Sequence, residues 1–162
     1  SGIQSDSYLK SIVNELTPFI DEHFSTKENP NNTFIAGSSL GGLISMYAIC
    51  EYPEVFSGAA CLSTHWPGTH DIENNPVPGK FVDYLEMHLP DPECHKFYFD
   101  YGTRALDSLY EPYQKQVDSV MVRKGYDEQS WKTLKFEGHD HSESSWQKRF
   151  HIPLQFLLGK VE

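Results

Sequence analysis

The sequence predicts an α/β fold: a three-layer parallel sheet flanked by helices. Three observations carry this reading. Short apolar runs, at Phe34 and Ile35, at 56–63, at Lys96–Gly102 and at Trp131–Phe136, alternate with segments of helical apolar period. Turn formers such as Asn29-Pro30-Asn31-Asn32, Pro53 and Pro90-Asp91-Pro92 separate them. A glycine-flanked turn, Gly37-Ser38-Ser39-Leu40-Gly41, joins the first run directly to a helix. Strands that alternate with helices imply right-handed crossovers and a parallel sheet, with reactive groups gathered at the strand C-terminal ends.

Residues 5–24 read as an amphipathic helix with Leu9, Ile12, Val13, Leu16 and Ile20 on one stripe, broken or kinked at Pro18. The helix after the turn runs over 42–51, with Leu43, Ile44, Tyr47 and Ala48 sharing a face. Residues 56–63 are small and apolar, as a strand buried on both faces should be. A loop rich in Pro, Gly, Asn and His spans 64–78, and a short helix follows over 81–89. After the Lys96–Gly102 strand, a helix over 111–124 carries Tyr113, Val117, Val120 and Met121 on one stripe. The last helix aligns Phe150, Leu154, Leu157 and Leu158, with a break at Pro153.

At 162 residues the chain fits a single domain whose core needs neither metal nor disulfide. A formal net charge of -10 argues against a nucleic-acid partner, because a phosphate backbone would be repelled. No apolar run is long enough to span a membrane. Cys50, Cys61 and Cys94 are an odd set at no metal-binding spacing, so neither metal nor other cofactor is expected. Asn31-Asn32-Thr33 fits a glycosylation sequon, relevant only to a secreted eukaryotic protein.

The G-x-S-x-G turn carries the chemistry. A sharp strand–turn–helix elbow lifts the Ser39 hydroxyl above the sheet and sets the Leu40 amide at a helix N-terminus, where it can donate to an oxyanion. Gly37 and Gly41 are expected where side chains would clash with the adjoining strand and helix. A serine needs a base, and of the eight histidines His139 and His141 follow the last strand while His65 follows the second. His70 lies deeper in the loop; His23, His88, His95 and His151 sit in helices or connectors. Spacing leaves His139 and His141 unseparated. The acid should leave the strand ending at Gly102, where Asp100, Asp107 and Glu111 are the candidates; Asp107, in the loop before the helix, is best able to turn toward a histidine. The order Ser39, Asp107, His141 is that of α/β-hydrolases. His65 and Trp66, at the mouth of the second strand, are candidate walls of a substrate pocket.

Taken together, Gly37-Ser38-Ser39-Leu40-Gly41-Gly42-Leu43, Tyr52-Pro53, Phe99-Asp100-Tyr101-Gly102-Thr103 with Leu106-Asp107, and Gly138 with His141-Ser142-Glu143 and Trp146 resemble an esterase group of α/β-hydrolases. That group takes in feruloyl and acetyl-xylan esterases, siderophore esterases and S-formylglutathione hydrolase. The resemblance covers nearly the whole chain. It implies that His141, immediately before Ser-Glu, is the base and Asp107 the acid, and that the reaction is hydrolysis of a small ester at Ser39 through an acyl-enzyme. It also implies several strands ahead of the helix on which this sequence starts. The expectation is therefore the C-terminal part of an α/β-hydrolase fold, one domain with the earlier strands lacking. The second oxyanion donor would be lacking too, and an apolar edge at Phe34 and Ile35 would invite self-association or a missing N-terminal segment. Two other readings stand beside it: a serine peptidase of the prolyl-oligopeptidase type, and a non-catalytic module that keeps the fold.

Overall fold

The computed structural model describes residues 2–69 and 74–159. Four parallel strands form one sheet in the order β1 (Phe34–Ser38), β2 (Gly58–Leu62), β3 (Lys96–Gly102) and β4 (Trp131–Phe136). Their C-terminal ends lie along one edge: Ser38 pairs with Leu62, Leu62 with Asp100, and Gly102 with Phe136. The bounds of β3 and β4 are those the sequence predicts.

Each strand returns through a helix: α3 (Leu40–Glu51), α4 (Val77–His88) and α5 (Glu111–Arg123). Met46 and Ile49 of α3, Leu85 of α4 and Val117, Val120 and Met121 of α5 share one core cluster with Ala59, Cys61, Phe97 and Phe99 of the sheet. All three crossovers therefore cover one face, as same-handed crossovers stepping one way along a sheet must. The alternate residues Ala60, Leu62 and Tyr98 point to the other face and meet Leu157 of α7 (His151–Leu158). The period-2 alternation of the strands thus separates the two helical layers.

At the front of the chain, α1 (Gly2–Ser11) passes through a π turn at Ile12–Leu16 into α2 (Thr17–His23). The Thr17 amide reaches back to the Ile12 carbonyl, and Pro18, which has no N–H to give, follows directly on that wide turn in the first turn of α2. The wide turn holds an extra residue, and of the predicted stripe Ile12, Val13 and Ile20 are half-buried while Leu16, at the end of the turn, points outward. Leu9 is fully buried, but Leu16 is 53% exposed. The last helix breaks at Phe150, between α6 (Glu143–Arg149) and α7, not at Pro153, which sits in the first turn of α7. Of its predicted stripe only Leu157 is buried.

Among the described residues β1 has no partner on its outer side, and Leu16, Phe19, Phe24 and Leu158 are exposed. No described helix is long and apolar enough to cross a membrane.

Candidate active site

The elbow forms as expected. Ser39 sits between β1 and α3 at φ 59 and ψ -120, a conformation rare for any residue with a side chain. Its amide donates to the Leu62 carbonyl at 2.9 Å, and its carbonyl accepts from the His65 amide at 3.2 Å. Those bonds tie the strained residue to the end of β2. A Cβ on Gly37 would collide with the Gly41 backbone, so strand and helix meet there without room for a side chain. Gly41 itself faces open space; the second close approach is at Gly42, where an added Cβ would sit 2.9 Å from the Thr64 hydroxyl. The expected clash at Gly41 is thus corrected to its neighbour. Leu40 opens α3, in the turn where helix amides lack carbonyl partners, and its side chain is exposed.

The acid–base side is built from three elements. Asp107 is fully buried in a short 3-10 turn, Ala105–Leu109, just beyond β3. His141 Nδ1 donates to Asp107 Oδ1 at 2.6 Å. On the other oxygen, Oδ2 accepts from the Ser63 hydroxyl at 2.5 Å and the Gly102 amide at 2.6 Å. Burial alone would raise this carboxyl, but the bonds from His141, Ser63 and Gly102 outweigh it and hold it below the usual carboxylate range. Thr103 and Arg104 both donate to the His139 carbonyl at 2.9 Å, and a Cβ on Gly102 would strike that carbonyl. The glycine lets the histidine loop lie directly on the acid turn.

The two histidines that spacing could not separate part company here. His139 packs at a tilt against Phe136 and lies 3.4 Å from Arg149, whereas His141 meets Asp107 and packs at right angles to Trp146. Of the other acids, Asp100 is buried and held by Arg149 through two bonds, at 2.9 and 3.1 Å. Burial pushes Asp100 upward against the pull of that guanidinium. Glu111 is bonded to Lys115 and Lys135 at the surface. Neither faces a histidine.

His65 and Trp66 are buried, at 5% and 1% exposure. Trp66 packs against Phe81 and Phe99 and donates its indole N–H to Gln114. That is a core position, not the pocket wall expected of it. His65 stands behind the site: its Nδ1 is 2.8 Å from the Tyr110 hydroxyl, which lies 3.5 Å from His141 Nδ1. Burial, then the Asp107 charge, push the Tyr110 phenol up, so it stays a neutral hydroxyl. His70 lies outside the described residues.

Ser39 Oγ forms no hydrogen bond with His141 among the described residues; such contacts commonly close only around a bound substrate. Among the same residues no group of three or more His, Cys, Asp or Glu could hold a metal ion. A half-buried serine on a strained elbow, at the same end of the sheet as an imidazole fixed by a buried carboxylate, is a set suited to acyl transfer.

Ser63, Arg149 and Tyr110 carry no sequence motif that marks them as parts of this site, and Trp146 enters only through the resemblance. The strand-end rule applied to hydroxyls as well as histidines would have found Ser63.

Known proteins agree with this architecture. The chain is 28% identical over 159 residues to the uncharacterized protein YbbA of Bacillus subtilis, covering 94% of this chain and 60% of that protein. It is 32% identical over 112 residues to the carboxylesterase SOBER1 of Arabidopsis thaliana, covering 68% of this chain and 48% of that one. This chain thus spans about half the length of these relatives. Among solved structures, enterochelin esterase from Shigella flexneri superposes with a TM-score of 0.77 at 18% identity, covering 94% of this chain and 37% of that one. The fold is that of these α/β-hydrolase esterases. The family model described as "Putative esterase" matches residues 1–154, and the chain belongs to that family.

Proposed function

We propose that the protein is a serine carboxylic-ester hydrolase that works through an acyl-enzyme. Ser39 Oγ attacks the ester carbonyl while His141 Nε2 takes its proton. His141 then returns that proton to the departing alkoxide, which leaves as the alcohol. In the second half a water attacks the acyl-serine, His141 accepts the water's proton and returns it to Ser39 Oγ as the acyl C–O bond breaks, and the acid leaves. Asp107 keeps the other imidazole nitrogen protonated and offsets the charge of the imidazolium. The Leu40 amide donates to the oxyanion, beside a second donor such as these folds draw from another loop. Small esters are the substrate class.

One observation carries the reading: the 2.6 Å bond between His141 Nδ1 and a fully buried Asp107, at the sheet edge where Ser39 stands. That bond leaves Nε2 as the nitrogen that can accept a proton. Membership of the esterase family supports the same chemistry. The test is turnover of p-nitrophenyl acetate by the intact protein and by Ser39→Ala. A loss on the order of 10⁶ in kcat is expected; equal rates would refute the assignment.

A further inference from the structure

We propose that Ser63 is a positioning residue for the Asp107–His141 pair, its hydroxyl proton held on Asp107 by Trp146 and Arg149. The proposal rests on the esterase reading above. Ser63 follows the last residue of β2 and is fully buried. Its oxygen has three partners: Asp107 Oδ2 at 2.5 Å, Trp146 Nε1 at 2.9 Å and Arg149 Nη2 at 2.7 Å. An indole and a guanidinium only donate, so they occupy both lone pairs of the hydroxyl. The hydroxyl proton then has one acceptor left, which is Asp107. An ordinary serine hydroxyl rotates among partners; this one is fixed in direction.

The backbone supplies a second, independent argument. Ser63 adopts φ 42, in the left-handed region that favours glycine. Its amide is anchored there by the Asp100 carbonyl at 2.9 Å and by Asp100 Oδ1 at 3.1 Å. Glycine would meet this geometry with less strain, so the side chain must supply what glycine lacks. What it supplies is the bond to Asp107.

Trp146 connects acid and base. Its ring meets His141 edge-on, with centroids 5.0 Å apart and planes at 85°. The same residue therefore sets the plane of the imidazole and, through Ser63, the orientation of the carboxylate. Arg149 bonds Asp100 twice and Ser63 once and stands 3.7 Å from Asp107, so Asp107 faces His141 without a direct guanidinium hydrogen bond. Around the pair lie Asp100 from β3, Arg149 from α6, His139 from the loop before it, and Tyr110 before α5 with His65 behind it.

The test uses Ser63→Ala and Ser63→Gly in the intact protein, with p-nitrophenyl acetate as substrate. Both variants should lose kcat by about 10- to 100-fold, the scale of a small misplacement of a catalytic group, with KM changed by less than about twofold. With the hydroxyl gone, Asp107 holds a proton more readily, so the acid limb of kcat/KM should move to higher pH. In proton NMR the His141 Nδ1–H resonance should shift or broaden in both variants. Loss in Ser63→Ala with wild-type behaviour in Ser63→Gly would make the effect one of backbone, and the proposal would fall. It would fall equally if both variants kept the wild-type rate and profile. Should neither variant fold, Trp146→Phe decides. It keeps a ring against His141 but frees one lone pair of Ser63, and a wild-type acid limb there would overturn the proposal. A wild-type protein without ester turnover would refute the esterase reading instead, while the Nδ1–H resonance would still report on Ser63.

Discussion

The two halves of the candidate site are built differently. Asp107 has both oxygens bonded, to His141 on one side and to Ser63 and Gly102 on the other, and is fully buried. Ser39 is held through its backbone, by Leu62 and His65, while its side chain projects from a strained elbow. The proposed acid and base are thus organised in advance through side chains, and the proposed nucleophile through the main chain. An acid that must never reorient can be locked by a network. A nucleophile that must move from hydrogen bond to covalent bond cannot be.

That contrast can be broken first at the acid. In Asp107→Asn the amide oxygen keeps the Ser63 and Gly102 donors, which turns the NH₂ toward His141 Nδ1. The imidazole must then carry its proton on Nε2, where it cannot accept one from Ser39. A drop of about 10⁴ in kcat is expected, with folding intact by circular dichroism. A drop below tenfold would remove Asp107 from the mechanism.

At the Ser39 elbow, two glycines should respond unequally to an added methyl. Gly37→Ala should destabilise the protein by about 1–3 kcal/mol, because its methyl meets the Gly41 backbone. Gly41→Ala has open space and should leave the melting temperature unchanged or slightly raised. Thermal denaturation of the pair checks this, and equal losses would contradict the elbow geometry.

The smallest effect is in pH. The Asp107 carboxyl is held below its ordinary value, so its ionised form stabilises the fold above the ordinary carboxylate range. That contribution is lost as pH falls through the depressed value. Between about pH 4, near the ordinary value, and lower pH, the melting temperature of the wild type should fall more steeply than that of Asp107→Asn. Parallel curves would mean that Asp107 is not held as a carboxylate.

Much of this was legible in the sequence because it is local. Strand bounds at Lys96–Gly102 and Trp131–Phe136 follow from short apolar runs between turn formers, and Ser39, Leu40, Asp107 and His141 follow from strand-end position and motif. The misses are tertiary. Nothing in the spacing of Trp146 and Arg149 says that both reach across to one hydroxyl just beyond β2, 83 and 86 residues away. Trp66 read as a pocket wall because it sits beyond a strand end, yet the loop turns it inward onto Phe81 and Phe99. The π turn at Ile12–Leu16 adds a residue that a periodicity of 3.6 does not count.

Under the proposed function, Ser39 is a nucleophile activated by the locked Asp107–His141 pair. Reaction of the intact protein with a fluorophosphonate, followed by mass spectrometry of the labelled peptide, tests it most directly. One adduct on Ser39 is predicted, forming far more slowly in Asp107→Asn and not at all in Ser39→Ala. An unlabelled wild-type protein, or an adduct elsewhere that survives Ser39→Ala, would contradict it.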